Sequence, residues 1–396
     1  MKLSEELAWR GFVNQTTYTD ISALDGEPIT FYWGVDPSAN SMTIGNFAMA
    51  MMVRHFITHG HKAILLVGGA TGMIGDPDGK ADERNLKSLD EIAANKTAIA
   101  EQYRRVFDGQ DFEIVDNYDW FKDMNYLTFL RDIGKHVPMR QMLGREFVQS
   151  RLGEEGAGIS YAEFSYALIQ GYDFLHLHRD KGVTLQVAGA DQWGNSIAGV
   201  ELIRRITGGE AHVWTGPLVV NKTTGVKFGK SESGAVWLDP AQTSPSDFYQ
   251  FWINCDDAGV EDYMKIYTLL SKEEVEAVMN EFNANRAGRA AQKRLAYEVT
   301  KLVHGEEAAE AAAAQADSGQ IAQKEVVAAE SVVDTLVAGG LASSKSEARQ
   351  FLADNGIYIN DQQVSRDNFE PDDFIDGRLI LRRGKKLQNS IVVKQG

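Results

Sequence analysis

The chain carries a single cysteine, Cys255, in 396 residues. That excludes an intrachain disulfide framework and any metal site built on several thiolates, and it fits a reducing, cytoplasmic setting. No apolar run is long enough to span a membrane, and the start, Met1-Lys-Leu-Ser-Glu-Glu6, lacks the apolar core of a secretory signal. Positive charge is in short supply: 40 Lys and Arg face 56 Asp and Glu, a formal net charge of −16. A surface of that sign does not coat nucleic acid, although a local basic site remains open to it. Internal repeats are absent as well. With 43% hydrophobic and 24% charged residues, the remaining composition is that of an ordinary soluble globular protein long enough for two or three domains.

Up to about residue 244, short apolar runs alternate with amphipathic helical patterns, the signature of an α/β domain on a parallel, doubly wound sheet. Strands are expected over 31–36, 63–68, 113–117, 183–188 and 212–220, and helices over 1–11, 47–59, 88–107, 127–135, 163–178 and 197–206. From 245 to 318 the strand signals stop and the text reads as helices. Residues 319–330 read as a linker, and 331–396 as a separate small α+β module.

The stretch that organises the rest is Asp36-Pro-Ser-Ala-Asn-Ser-Met-Thr43-Ile-Gly45-Asn46, between a strand and an apolar helix. Side chains alternate along a strand, so Phe31, Trp33 and Val35 form a core face while Tyr32, Gly34 and Asp36 share the other. Gly34 bares backbone there, and the first turn of the following helix, with Asn46 as a cap, offers unpaired N–H groups to an anion. Further on, Val67-Gly-Gly-Ala-Thr-Gly-Met-Ile-Gly75 follows a strand, so its glycines can bring backbone near a nucleotide. Asp76-Pro77 then breaks the helix that a dinucleotide site requires, and Lys80 and Arg84 suit a loop that closes over phosphates.

Tyr166, Gln170 and Asp173 stand at i, i+4 and i+7 of a helix that is apolar on its other sides. Polar groups on a buried helix need partners, and a polar ligand supplies them. At the end of the strand at 183–188, Gly189-Ala-Asp191-Gln192 places a carboxylate and an amide where α/β sheets bind ligands. Lys227-Phe-Gly-Lys230-Ser231 sets two lysines in a Gly/Ser-rich loop, point charges on flexible stems. No residues group as a metal cage.

In this order the motifs resemble the class I aminoacyl-tRNA synthetases, with 36–46 in the place of the HIGH signature and 227–231 similar to the KMSKS loop. Trp9-Arg-Gly, Asn14-Gln-Thr-Thr, Asn117-Tyr-Asp-Trp120, Phe164-Ser-Tyr, Asp191-Gln-Trp-Gly-Asn195 and Phe248-Tyr-Gln-Phe-Trp-Ile-Asn carry the resemblance to the bacterial-type tyrosyl enzymes along essentially the whole chain. The resemblance implies that tyrosine and ATP, with Mg2+, form tyrosyl-adenylate and pyrophosphate, and that tRNA then accepts the tyrosyl group. It implies that Tyr32 and Asp173 hold the phenol hydroxyl, that Tyr166, Gln170 and Asp76 hold the ammonium group, and that Gln192 lies near the carboxylate. It places Gly34, Asp36, Ser38, Gly45, Gly189 and Asp191 around ATP, and Lys80, Arg84, Lys227 and Lys230, beside Ser231, on the departing pyrophosphate. Where the signature usually has two histidines, this chain has Thr43 and Asn46, which also donate hydrogen bonds and do not titrate near neutrality.

The C-terminal module resembles an S-four-type RNA-binding domain. Lys345 and Arg349 on a helix, and Arg382, Arg383, Lys385 and Lys386 in a segment whose only acid after 375 is Asp376, are its expected phosphate contacts. The resemblance also implies a homodimer, joined through the insertion around 119–158. Three other readings explain less. A nicotinamide oxidoreductase has the glycine loop and a Tyr118/Lys122 pair, but that pair falls too close to the glycines. A purely RNA-binding protein has no use for the polar stripe. The sister tryptophanyl enzymes are not expected to carry the Tyr32/Asp173 pair or this C-terminal module.

Overall fold

β-Branched and aromatic runs bounded by Gly, Pro and Asp become six strands: β1 (Gln15–Thr16), β2 (Thr30–Val35), β3 (Lys62–Val67), β4 (Phe112–Asp116), β5 (Val183–Gly189) and β6 (His212–Gly216). Their spatial order is β1-β6-β5-β2-β3-β4, all parallel except the short edge strand β1. The chain winds outward from β2 through β3 to β4, then returns to the other side of β2 with β5 and β6. A crevice therefore opens at the carboxyl ends of β2 and β5, where ligands bind in such sheets. The computed structural model describes every residue except 78–85, 154–157, 224, 226, 227, 229, 232, 233, 318–323, 343, 361, 376, 385–389 and 396, and the backbone alone of 141, 146, 147, 230, 231, 317, 324 and 325.

The expected strands form within a residue or two, except that the run at 212–220 stops at Gly216. Pro217 follows, and its missing N–H ends the ladder. β1 is an addition to the expected set, because two residues carry no periodicity.

The helices that frame the sheet are α1 (Leu3–Arg10), α2 (Ile44–Thr58), α3 (Leu89–Val106), α4 (Tyr161–Lys181) and α5 (Trp193–Thr207). The alternation along β2 sorts its side chains as the sequence implies. Phe31 packs on Phe56 of α2 and Trp33 on Tyr103 of α3, with ring centroids 5.1 and 5.4 Å apart. Tyr32 faces the opposite layer and meets Phe174 of α4 at 5.3 Å. Helices thus cover both faces, the doubly wound arrangement. α2 starts three residues earlier than expected. Thr43, not Asn46, is its N-cap, and Asn46 is the third helical residue.

Four further helices, Pro245–Ile253, Val260–Tyr267, Lys272–Ala284 and Ala290–His304, belong with the sheet to one compact unit, Met1–Ala309. Arg10 ties α1 to them. Its guanidinium, 3% exposed, donates to the carbonyls of Lys265, Thr268 and Leu270 at 2.8–3.0 Å, acceptors left over where a helix ends. Glu6 accepts from Arg10 at 2.9 Å and lies 3.2 Å from His55 Nδ1. Hydrogen bonding from His55, with Arg10 alongside, lowers the Glu6 carboxyl to about 2. A carboxyl depressed in the folded state adds stability that is complete above its ordinary range and is lost as pH falls toward its folded value. Glu6→Gln is expected to lower Tm at neutral pH and to shrink the wild-type loss between about pH 4.5 and about pH 2. Thermal melts across that window measure it.

The second unit, Glu310–Gly396, holds a five-stranded sheet in the order Gln362–Val364, Ile357–Ile359, Arg378–Arg383, Ser390–Lys394, Lys324–Val327, with helices Val332–Ala338 and Lys345–Ala353. Its core joins Val332, Leu336, Ala348 and Leu352 to Ile357, Leu379, Leu381 and Val393. The stretch 319–330, read as a linker, contains a strand: residues 324–327 pair in parallel with 391–394. Val326 and Val327 supply the β-branched residues that such an edge accepts.

Candidate active site

A cavity of about 280 Å³ lies at the carboxyl ends of β2 and β5 and is lined as well by α4 and by the first turn of α2. Its lining includes Tyr32, Gly34, Asp36, Ser38, Thr43, Gly45, Asn46, Asp76, Tyr166, Gln170, Asp173, Gly189, Asp191 and Gln192. Every residue expected around tyrosine, and every one expected around ATP whose side-chain position is described, lines this one space. Lys80, Arg84 and Lys227 lie outside the described residues, as do Lys385 and Lys386. Of Lys230 and Ser231 the backbone alone is placed, as one strand of a hairpin with Gly234–Ala235.

At the floor, Asp173 is 1% exposed. Its Oδ1 accepts from Trp120 Nε1 at 2.9 Å and its Oδ2 from Asn117 Nδ2 at 3.1 Å. Burial pushes the carboxyl up to about 8, against the pull of those two donors. Tyr32 stands beside it, and its hydroxyl, buried, has no hydrogen-bond partner among the described residues. Burial and the nearby Asp173 charge keep the Tyr32 phenol protonated. A buried donor and a buried acceptor thus face a cavity, one with nothing to bond, and a ligand hydroxyl satisfies both. The side-chain carbonyl of Gln170 is likewise buried and without a partner among the described residues.

Above this floor the cavity wall is cross-linked. Asp36 accepts from the Tyr166 hydroxyl through Oδ2 and from the Thr71 hydroxyl through Oδ1, both at 2.6 Å. Asn117 reaches Thr71 as well as Asp173, at 3.0 Å, so one amide joins the two carboxylates' surroundings. Asp76 accepts from Gln192 Nε2 at 2.5 Å, and Asn195 Nδ2 bonds Gln192 Oε1 at 3.1 Å. Thr71, Asn117, Trp120 and Asn195 are site residues that the sequence does not single out. Asn117 follows β4, Thr71 opens the helical turn after β3, and Trp120 and Asn195 are in the first turns of helices, and no local pattern announces that these places converge.

The tight approaches at the glycine loop are to carboxylates. A Cβ on Gly68 would stand 2.1 Å from Asp36 Oδ1, and one on Gly69 would stand 2.2 Å from Asp116 Oδ1. These glycines let the loop close onto Asp36 of the site and onto Asp116 at the end of β4, and Thr71 can then reach Asp36. Gly34 is the glycine that bares backbone, being solvent-accessible near the carboxyl end of the central strand β2.

Thr43 and Asn46 are bonded to each other. Asn46 Oδ1 accepts both the backbone N–H and the hydroxyl of Thr43, each at 3.0 Å. The N–H contact fixes which way the amide points, so the two Nδ2 hydrogens, without a partner among the described residues, are the donors the pair offers the cavity. Thr43 positions and Asn46 donates. Asn46→Asp keeps the acceptor and removes the donors, and it is expected to slow the reaction of a phosphate-bearing ligand at least about tenfold. Thr43→Val is expected to have the smaller effect, and single-turnover kinetics compare the two.

In the second unit, Arg349 is exposed, and Lys345 pairs with Asp334 at 2.7 Å. Arg382 is 8% exposed, its guanidinium 5.1 Å from the Tyr358 ring centroid, and Arg383 lies 5.0 Å from that of Phe351. Strand alternation puts Arg382 on the face away from the core residues Leu379 and Leu381, opposite Tyr358 on the neighbouring strand, and its guanidinium lies over that ring. Covered in this way, it is not the open side chain that the sequence leads one to expect.

Two family models match the chain: tRNA synthetases class I (W and Y) over residues 24–318, and the tyrosine–tRNA ligase SYY-like C-terminal domain over 312–391. Among curated proteins, the tyrosine–tRNA ligase of Bacillus caldotenax is 45% identical over 98% of both chains. That of Bacteroides fragilis is 41% identical over the full length of both. Among solved structures, a C-terminally truncated mitochondrial tyrosyl-tRNA synthetase of Aspergillus nidulans superposes with a TM-score of 0.72 at 30% identity, covering 80% of this chain and 94% of its own.

Proposed function

This chain belongs to the class I tRNA synthetases of the tryptophan and tyrosine branch, and from that premise we propose how its site carries out tyrosine–tRNA ligation. The reaction activates L-tyrosine with ATP to tyrosyl-adenylate and pyrophosphate, then transfers the tyrosyl group to the 3′ end of tRNA. The observation that carries the tyrosine assignment is the pair at the cavity floor, a Tyr32 hydroxyl without a partner among the described residues beside the Asp173 carboxylate. Tyr32 donates to the substrate's phenol oxygen, and the phenol O–H donates to Asp173. Phenylalanine leaves both groups buried and unmatched. A site built to bond a hydroxyl rejects the analogue that lacks one, a rule for which the tyrosyl-tRNA synthetases are themselves the standard example.

Tyr166, Gln170 and Asp76 take the ammonium group, with Gln192 toward the carboxylate. The tyrosine carboxylate is already ionised and attacks the α-phosphorus in line, so no general base is needed. Positioning and donors aimed at developing charge supply the rate. Gly34 and Gly189 bring backbone to the nucleotide, Asp36 and Asp191 hold its polar groups, Ser38 reaches a phosphate, and Asn46 donates to the phosphates. Lys80, Arg84, Lys227 and Lys230 meet the pyrophosphate as it leaves. Magnesium enters with the triphosphate as part of the substrate.

We read 1–244 as the catalytic part, 245–318 as the helical part on the anticodon side, and the C-terminal module as a second tRNA contact through Lys345 and Arg349. The single, buried Cys255 supports a cytoplasmic setting. Homodimer formation is supported by Tyr126, Leu127, Met139, Leu152 and Tyr161, each more than half exposed and all in or beside the insertion. Sedimentation equilibrium is expected to return twice the chain mass, and Leu127→Asp to shift it toward the monomer. The functional reading is tested by charging tRNA in the presence of ATP and Mg2+. Tyrosine is expected to become acid-precipitable on tRNA and phenylalanine is not. Charging with neither, by folded protein, contradicts the reading.

A further inference from the structure

Two halves of the ATP-handling region are stitched together by a buried cluster that the reaction scheme does not use. The segment entering α2 runs antiparallel to the segment leaving the lysine hairpin. Ile44 N–H donates to the Val236 carbonyl at 3.1 Å, Leu238 N–H donates to the Met42 carbonyl at 2.9 Å, and Thr43 pairs with Trp237. Lys230 is two short steps away, since its backbone pairs with Ala235 in the hairpin and Val236 comes next.

Gln102, on the buried face of α3 and 6% exposed, clamps this junction with both ends of its amide. Its Oε1 accepts from Met42 N–H at 2.7 Å and its Nε2 donates to Ser41 Oγ at 2.8 Å. Ser41, 5% exposed, is saturated: its hydroxyl donates to the Met42 carbonyl at 2.9 Å and accepts from Gln102 and from Asp239 N–H, the latter at 3.1 Å. One donor and two lone pairs are all a hydroxyl has. Every bond of the cluster lands on the signature segment or on the stem of the lysine loop, and none reaches the tyrosine floor.

We propose that Gln102 and Ser41 are positioning residues of the activation step, fixing the register of 41–44 against 236–239 so that Asn46 and Lys230 act on the same triphosphate. The inference rests on the role given to Lys230 above. Groups held in one geometry lose rate steeply when that geometry slips by as little as about 1 Å, whereas binding of tyrosine at the separate floor does not depend on it.

The test is single-turnover formation of tyrosyl-adenylate by the full chain, with tyrosine affinity measured in parallel by equilibrium dialysis. Gln102→Met keeps length and bulk but removes both amide bonds, and it is expected to lower the rate about tenfold to a hundredfold with tyrosine affinity held within about twofold. Gln102→Glu keeps the acceptor for Met42 N–H and is expected to recover part of the rate; it also serves if the Met variant fails to fold. Combined with Lys230→Ala, Gln102→Met is expected to lose less than the product of the two single effects, because both act on one arrangement. The proposal is overturned by an unchanged rate in Gln102→Met, by rate and tyrosine affinity falling together, or by a double variant that loses the full product. If Lys230→Ala alone leaves the rate unchanged, the fault lies in the role assigned to the lysine loop, and the two failures are told apart.

Discussion

Asp173→Asn is expected to weaken tyrosine binding by about a hundredfold or more and to remove most of the preference over phenylalanine. The wild-type carboxylate offers an acceptor on each oxygen, engaged by Trp120 and Asn117, with lone pairs left for the ligand phenol. Asparagine has one carbonyl for three donors and sets its own N–H2 against one of them. Tyr32→Phe removes only the donor, and about tenfold is the expected cost. The pH dependence separates this account from simple loss of packing. Asp173 in the ligand-free protein titrates at about 8, raised by burial. The phenol donates to the ionised form, so binding below that value must expel a proton. Tyrosine affinity should therefore rise with pH up to about 8 and then level off, and the rise should vanish in Asp173→Asn. Titrations from about pH 6 to about pH 9 with proton release followed calorimetrically provide the measurement.

Lys230→Ala is expected to lower the single-turnover rate of adenylate formation by roughly 10²–10³ while tyrosine affinity stays within about twofold. Charge grows on the departing pyrophosphate only as the bond to the α-phosphorus breaks. A lysine directed at that charge stabilises the transition state and contributes little to the tyrosine complex. Lys230→Arg keeps the charge but changes a compact point donor into a broad fork, and partial recovery is expected. An unchanged rate in the alanine variant removes the lysine loop from the mechanism.

Much of the site is legible in the sequence because its parts are local. The alternation of Phe31, Tyr32, Trp33 and Gly34 along one strand sorts the core face from the ligand face directly, and the structure places them so. The spacing of Tyr166, Gln170 and Asp173 puts three polar groups on one side of an otherwise apolar helix, and all three line the cavity. What stays hidden is long-range. Asn117 meets Thr71 and Asp173 across 46 and 56 positions of sequence, and only the winding of the chain brings the segments after β3 and β4 against the middle of α4.

Glycines can be counted in a sequence but not interpreted, since the reason for Gly68 and Gly69 is the carboxylates that later fold against them. Thr43 and Asn46 read as two independent donors, and their mutual bonds leave one. Charge in the C-terminal module is legible by number, whereas the strand fixes direction and turns Arg382 over Tyr358. The sheet's extra strand at 324–327 escapes the sequence reading because a four-residue edge with two charges has no apolar alternation to mark it.

The most direct measurement is tyrosine-dependent exchange of labelled pyrophosphate into ATP, run beside phenylalanine and tryptophan with Mg2+ present. The account predicts exchange with tyrosine and none above background with the other two, with Thr43 and Asn46 in place of the usual histidines. Exchange with phenylalanine as good as with tyrosine contradicts the floor built on Tyr32 and Asp173. No exchange with any of the three, from folded protein, contradicts the activating chemistry itself.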